Sequence, residues 1–166
     1  MKQEAIQEQV QRLAGKYMSF KLADEEYGIE ILQVRDVIAL MEITRVPRTK
    51  DYVRGVINLR GKVIPVVDLR MKFGMGRTEP TDQTVIIVVQ TEVDGHELNM
   101  GVLVDEVLEV LNVVAKNIEP RPDFGAGGLD MSFIMGIGKA AGRVIFLLDI
   151  GKVLTQEAIL PAARED

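Results

Sequence analysis

Residues 55–68 read GVINLRGKVIPVVD, and residues 136–149 read GIGKAAGRVIFLLD. Each stretch has a glycine and an aliphatic residue, four variable residues, then a second glycine, a base, Val-Ile, one residue, two aliphatics and an aspartate. A single duplication of this size is typical of two similar subdomains fused in one chain, whereas solenoids repeat every 20 to 50 residues. We therefore interpret the chain as one small module built twice.

The repeat extends upstream. YGIEILQVRDVI at residues 27–38 aligns with MGVLVDEVLEVL at residues 100–111. The second copy is eight residues longer, and the extra residues fall in the glycine-rich stretch between Phe124 and Phe133, which we predict to be a loop insertion around residues 125–129. Half of a chain of 166 residues makes only a marginal domain on its own, so we expect an apolar interface shared between the halves.

The expected organisation has four parts. A polar helical segment at residues 1–14 precedes two β-barrel subdomains at residues 15–83 and 84–150, and a C-terminal helix and tail follow at residues 151–166. The apolar pattern inside both subdomains favours short strands. Met18, for instance, begins an every-second-residue apolar face that is typical of a half-buried strand.

The turn residues refine this picture. Asn58 and Gly61 predict a four-residue hairpin connection with Arg60 near its tip. Pro65, in the second strand of that hairpin, predicts an edge strand or a bulge, because proline cannot donate to the ladder. Strands at residues 84–90 and 98–104 are expected across a polar loop. Helices are expected to be few: one at the N-terminus, a turn or two near residues 50–54 and one near residues 150–159.

Composition excludes several classes of protein. A formal net charge of −5 disfavours a nucleic-acid surface, which requires a basic stripe, and the absence of cysteine excludes disulfides and thiolate chemistry. Apolar runs are far shorter than a membrane span, and the polar N-terminus lacks the apolar stretch of a signal peptide. We expect a cytoplasmic protein that does not insert into the membrane.

The residue inventory disfavours an enzyme. His96 is the only histidine and falls in a polar loop, so we expect no catalytic residue, metal or cofactor. The two glycine-bounded stretches resemble P-loops only superficially, because they have five residues between the glycines and valine in place of Ser or Thr. Asp68 and Asp149 end strands at equivalent positions, so capping is favoured over an acid pair. A small-molecule-binding barrel or enzyme and a nucleic-acid module remain the alternatives from other classes.

Two features are candidates for partner binding. One is an apolar groove between the modules, a usual docking form for a helix, although each of its members could equally be core: Met18, Ile31, Val34, Val37, Val107 and Val110. The other is Arg60, because the second copy has Ala141 at the equivalent position and the repeat therefore does not demand a charge there.

The segments YGIEILQVRDVI, ITRVPRTKDYVRGVINLRGKVIPVVDLRMKFG (residues 43–74) and GVLVDEVLEVL (residues 101–111) strongly resemble the CheW family of bacterial chemotaxis adaptors. The resemblance runs from about Tyr17 to about Leu154. It implies a mainly β fold of two five-stranded SH3-like barrels packed side by side, with no enzymatic activity. The same fold also occurs within CheA and CheV, but with no further domain here we expect a standalone adaptor.

The resemblance also implies partners and sites. The protein would link the histidine kinase CheA, through that kinase's CheW-like regulatory domain, to the cytoplasmic tips of methyl-accepting chemoreceptors in membrane-associated arrays. The apolar groove would receive the receptor's helical hairpin. The kinase-facing or receptor-facing surface would lie on the first barrel, around the NLRG motif, and comprise Asp36, Arg54, Gly55, Asn58 and Arg60.

Overall fold

The computed structural model describes residues 2–93, 95–120 and 133–155. The predicted mainly β fold with a few short helices is confirmed. The strands are β1 (Gly15–Leu22), β2 (Glu25–Glu30), β3 (Val34–Ala39), β4 (Val53–Leu59), β5 (Lys62–Asp68), β6 (Val85–Val93), β7 (His96–Val104), β8 (Glu106–Val113), β9 (Ile118–Pro120), β10 (Ile134–Ala140) and β11 (Arg143–Leu148). The α-helices are α1 (Lys2–Leu13), α2 (Leu69–Lys72) and α3 (Ile150–Thr155), and short 3-10 helices lie at Ile31–Gln33 and Ala115–Asn117.

The strands form two sheets. One has six strands in the order β8-β1-β2-β11-β10-β9, and the other has five in the order β3-β6-β7-β5-β4. The division between the sheets does not coincide with the boundary expected between residues 83 and 84, since β1 and β2 pair with β8 and β11, while β6 and β7 pair with β3 and β5. The first two strands of each sequence half therefore complete the sheet of the other half.

The sequence repeat is also a structural repeat. β4 and β10 are each bulged just before or at their glycine, between Val53 and Gly55 and between Ile134 and Gly136. Asp68 accepts a hydrogen bond from the Met71 N–H at the start of α2, and Asp149 accepts one from the Lys152 N–H at the start of α3. The equivalence of the two aspartates is therefore confirmed. The insertion predicted around residues 125–129 and the tail from residue 156 lie outside the described residues.

The two sheets share one core, as predicted. Phe20 and Ile29 come from the six-stranded sheet, Val89 and Val102 come from the five-stranded sheet, and all four belong to a single buried cluster. Fully burying such a side chain contributes about 1.5–3 kcal/mol, so this shared cluster supplies stability that neither half could supply alone.

Three local predictions need correction. β1 is buried on both faces, because Phe20 packs in the largest buried cluster and Tyr17, on the opposite face, packs in a second cluster together with Val10 of α1. Pro65 lies on an interior strand, immediately before the short ladder that begins at Val66, where β5 pairs with β7. Cross-strand pairing continues to the backbone pair of residues 93 and 96, so the polar loop expected at residues 91–97 is largely strand.

The helices differ from expectation at one place. Residues 50–54 hold a turn followed by the start of β4, and the helix forms instead after β5, where Asp68 caps α2. A capping carboxylate satisfies an N–H that the first helical turn leaves without a partner, which explains why the helix begins at this residue. None of the described helices has the length and apolar character needed to span a membrane.

Candidate functional site

The tip of the β4–β5 hairpin is a tight two-residue turn. Arg60 and Gly61 both adopt left-handed backbone conformations, with φ of 53° and 84°, between the paired residues Leu59 and Lys62. The Asn58 side-chain oxygen accepts a hydrogen bond from the Gly61 N–H at 3.0 Å. Positive φ at both central positions is the signature of the type I′ turn that suits twisted hairpins. The four-residue connection predicted from the sequence is thus shorter.

The turn geometry does not require an arginine. The equivalent hairpin between β10 and β11 has Ala141 and Gly142 at φ of 52° and 75°, so alanine adopts the same backbone conformation. The Arg60 side chain is 75% exposed, and its guanidinium lies 2.9 Å from an Asp36 carboxylate oxygen on the edge strand β3. Exposed ion pairs of this kind contribute about 0–1 kcal/mol, so the pair of Arg60 with Asp36 adds little to folding.

Asp36 is itself positioned by the backbone. One carboxylate oxygen accepts a hydrogen bond from the Val37 N–H at 2.9 Å, and the other receives the Arg60 guanidinium. In the second half the equivalent residue is Glu109, which binds Arg143 at 2.6 Å. Arg143 also binds Glu26, and its hydrogen bonds, first to Glu26 and then to Glu109, raise its pKa. The carboxylate is thus kept in both halves, but only the first half binds it from the hairpin tip.

Gly55 does not lie on an exposed surface, and its assignment to the binding surface is corrected here. It is buried with φ of 141°, and a Cβ added to it would lie 2.1 Å from the Thr44 carbonyl oxygen. Arg54 is also largely structural, because its guanidinium pairs at 3.2 Å with the buried carboxylate of Asp68. Both residues therefore support the hairpin structurally. Asn58 and Arg60 are exposed at or beside its tip, and Asp36 is half-buried on the neighbouring strand β3.

Four of the six predicted groove residues, Val34, Val37, Val107 and Val110, lie on two edge strands, whereas Met18 lies on the interior strand β1 and Ile31 in the 3-10 helix before β3. β3 is the edge of the five-stranded sheet and β8 is an edge of the six-stranded sheet. Met18, Val34 and Val107 are half-buried and pack against the core cluster that the sheets share. Val37 and Val110 are 37% and 50% exposed, which leaves apolar surface available on each edge.

The sequence repeat relates Val34 to Val107 and Val37 to Val110. The neighbours of these residues across the strands can also be compared. Val34 lies opposite Val89 on β6, and Val107 lies opposite Phe20 on β1; Val110 in turn lies opposite Met18. Both ladders contain a β-bulge at this point. Bulges bend an edge strand and re-aim its side chains, so the two halves present matching apolar edges.

One exposed apolar residue next to the predicted groove residue Ile31 was missed. Leu32 is 82% exposed. It lies in the 3-10 helix Ile31–Gln33, directly after the half-buried Ile31 and shortly before β3. A continuous strand through YGIEILQV would point every second side chain to the same face of the sheet. The chain instead leaves strand geometry at residue 31. Residues 29–34 contain no glycine, proline, asparagine or aspartate that would signal this change of geometry. The exposure of Leu32 is a consequence of the change.

The chain is similar to known proteins over most of its length. A family model described as "CheW-like domain" matches residues 16–158. The chain is 37% identical over 153 residues to the chemotaxis protein CheW of Klebsiella aerogenes, covering 89% of each chain. It is 35% identical over 143 residues to the chemotaxis protein CheW of Bacillus subtilis, covering 86% of this chain and 88% of the relative.

A solved structure adds the same result in three dimensions. The scaffolding protein TtCheW from Thermoanaerobacter tengcongensis is similar to this chain with a TM-score of 0.74 and 35% sequence identity. The match covers 86% of this chain and 94% of that chain. On the family model, the relatives and this structural match, the chain belongs to the CheW family.

Proposed function

We propose that this protein is a non-enzymatic adaptor that couples the histidine kinase CheA to the cytoplasmic tips of chemoreceptors. Its relatives are named chemotaxis proteins, and the similar solved structure is that of a scaffolding protein. The proposal places the protein in the cytoplasm and recruits it to receptor arrays. It assigns no cofactor, metal or catalytic residue.

The observation that carries the proposal is the exposed arginine at the hairpin tip. Arg60 pairs with Asp36, contributes little to folding and occupies the position where the other half has Ala141. Arginine presents a planar fork of donors and is enriched among residues that dominate interface energies. We assign Arg60, Asp36 and Asn58 to the surface that binds the CheW-like regulatory domain of CheA, with Arg54 as a supporting residue.

The apolar groove is assigned to the receptor. An amphipathic helix binds through apolar residues that fill a groove. The proposed lining comprises Val34 and Val37 of β3 and Val107 and Val110 of β8, together with Met18 and Ile31. Leu32 extends it at the turn before β3. β3 contributes Asp36 to one surface and Val37 to the other, and successive side chains of a strand point to opposite faces. One adaptor could thereby hold kinase and receptor on separate surfaces of the same strand.

The experiment is a binding measurement with purified components. The full chain is mixed with CheA, with a chemoreceptor cytoplasmic fragment, and with both, and complexes are collected by co-sedimentation. The proposal expects binding to each partner separately and receptor-dependent activation of the kinase only when the adaptor is present. Binding to neither partner would overturn it.

A further inference from the structure

A cleft of about 240 Å³ beside the start of β4 is rich in positively charged side chains. It is formed by the loop before β4 together with residues from α2 and the segment that follows α2. Its charged lining comprises Arg45, Arg48, Lys50, Arg54, Arg77 and a single acid, Asp51. The whole chain carries a formal net charge of −5, so this concentration of positive charge is opposite to the overall balance.

Among the described residues, three of these arginines lack a counter-ion. Arg54 pairs with Asp68, but Arg45, Arg48 and Arg77 are exposed and form no ion pair with any residue that the structure describes. Clustered like charges repel one another and are unfavourable for the compact state unless an anion binds. Arg48 also adopts a φ of 67°, a left-handed conformation that is uncommon for a residue other than glycine.

The uncharged lining distinguishes among anions. Val46, Val53 and Met71 also line the cleft, and among its lining residues there is no aromatic side chain on which a nucleic-acid base could stack. An extended polyanion would in addition meet a protein that is acidic overall. The cleft is smaller than the ~300–1,000 Å³ typical of enclosed small-molecule sites, so it suits side chains of a segment lying across it.

We propose that this cleft binds a short acidic peptide segment of a partner protein, with carboxylates on Arg45, Arg48 and Arg77 and an aliphatic side chain on the apolar lining. Guanidinium groups bind carboxylates through paired hydrogen bonds, which is why arginine suits this role better than lysine. Apart from Arg54, which pairs with Asp68, the cleft lining shares no residue with the apolar groove or with the surface around Arg60.

The test uses the full chain alone, so its result does not depend on CheA or receptor binding. A fluorescein-labelled peptide, Glu-Glu-Leu-Glu-Glu-Leu-Glu-Glu, is titrated with the protein by fluorescence anisotropy, beside a peptide with glutamine at every glutamate. We compare the wild type with the triple variant Arg45→Gln/Arg48→Gln/Arg77→Gln. A matched control, Lys16→Gln/Lys116→Gln/Lys139→Gln, removes the same charge from exposed positions that do not line the cleft.

The acidic peptide should bind more tightly than the glutamine peptide, and its affinity should fall as salt is raised. The arginine variant should lose about tenfold in affinity, the size expected of three exposed ion pairs together, whereas the lysine variant should lose less than about twofold. Equal binding of the two peptides, or equal losses in the two variants, would overturn the proposal. Tighter binding of pyrophosphate or of a single-stranded oligonucleotide through the same arginines would also overturn it, in favour of that anion.

Discussion

Replacing Gly55 with alanine should destabilise the protein severely without touching any exposed contact. The new Cβ would lie 2.1 Å from the Thr44 carbonyl oxygen, which is backbone and cannot rotate away. Relief requires separating Thr44 from Val56, whose backbones exchange two hydrogen bonds of 2.8 Å each. Losing both costs about 1–3 kcal/mol, and the positive φ adds about 1–3 kcal/mol of strain.

The expected loss for Gly55→Ala is therefore about 4 kcal/mol, a large part of the 5–15 kcal/mol by which proteins are usually stable. Gly61→Ala is the matched control. Gly61 also has positive φ, 84°, but an added Cβ would meet nothing within 4 Å. It should cost only the left-handed penalty of about 1–2 kcal/mol.

Urea unfolding followed by circular dichroism measures both variants as free energies of unfolding. The difference between them isolates the backbone collision from the cost of positive φ. If Gly55→Ala costs no more than Gly61→Ala, the close approach of Thr44 is not what requires glycine, and Gly55 would return as a candidate contact residue.

The remaining predictions concern the groove, an ion-pair network and a buried phenol. Val110→Glu should change the free energy of unfolding by less than about 0.5 kcal/mol and weaken binding of a receptor fragment by about 1–3 kcal/mol. Val144 is equally exposed but lies outside the groove, so Val144→Glu should not affect binding. Equal effects of the two variants on binding would argue against the groove. Arg143→Gln should lower the midpoint of urea unfolding because it leaves the buried Glu26 carboxylate without its partner, and an unchanged midpoint would contradict this. Burial raises the pKa of Tyr17 to about 12, so its stabilising contribution is complete below pH 10 and is lost as pH rises from 10 to 12. The free energy of unfolding of Tyr17→Phe, measured at pH 8 and 11, should therefore fall less than that of the wild type. An equal fall in both proteins would exclude this cause.

The sequence predicts the repeat well because its signals are local. Gly55 and Gly136, and Asp68 and Asp149, occupy equivalent places because a bulge and a helix cap each depend on a few neighbouring residues. The exposure of Arg60 follows from the same turn chemistry. These features require no knowledge of which strands pair across the molecule.

Strand exchange between the halves could not be predicted in this way. The apolar pattern of β1 and β2 indicates strands, but it contains nothing that selects β8 and β11 as their neighbours instead of β3 and β5. Long-range pairing depends on the complete core, where Phe20 and Val89 meet in one cluster. Gly55 was misplaced for the same reason, because its close neighbour Thr44 reaches it only in the folded sheet.

Arg60→Ala in the complete assembly tests the adaptor proposal most directly. Ala141 adopts the same backbone conformation, and Arg60 is 75% exposed, so the variant should fold with less than about 0.5 kcal/mol of change. Arg12→Ala, at an exposed position on α1, serves as the control.

The measurement is co-sedimentation of receptor fragment, adaptor and CheA, together with receptor-dependent kinase activity. We predict that Arg60→Ala weakens CheA binding by at least about 2 kcal/mol, roughly thirtyfold, and abolishes activation, while Arg12→Ala behaves as the wild type. A folded Arg60→Ala protein with unchanged co-sedimentation and activation would contradict the assignment and remove the hairpin tip from the kinase-binding surface.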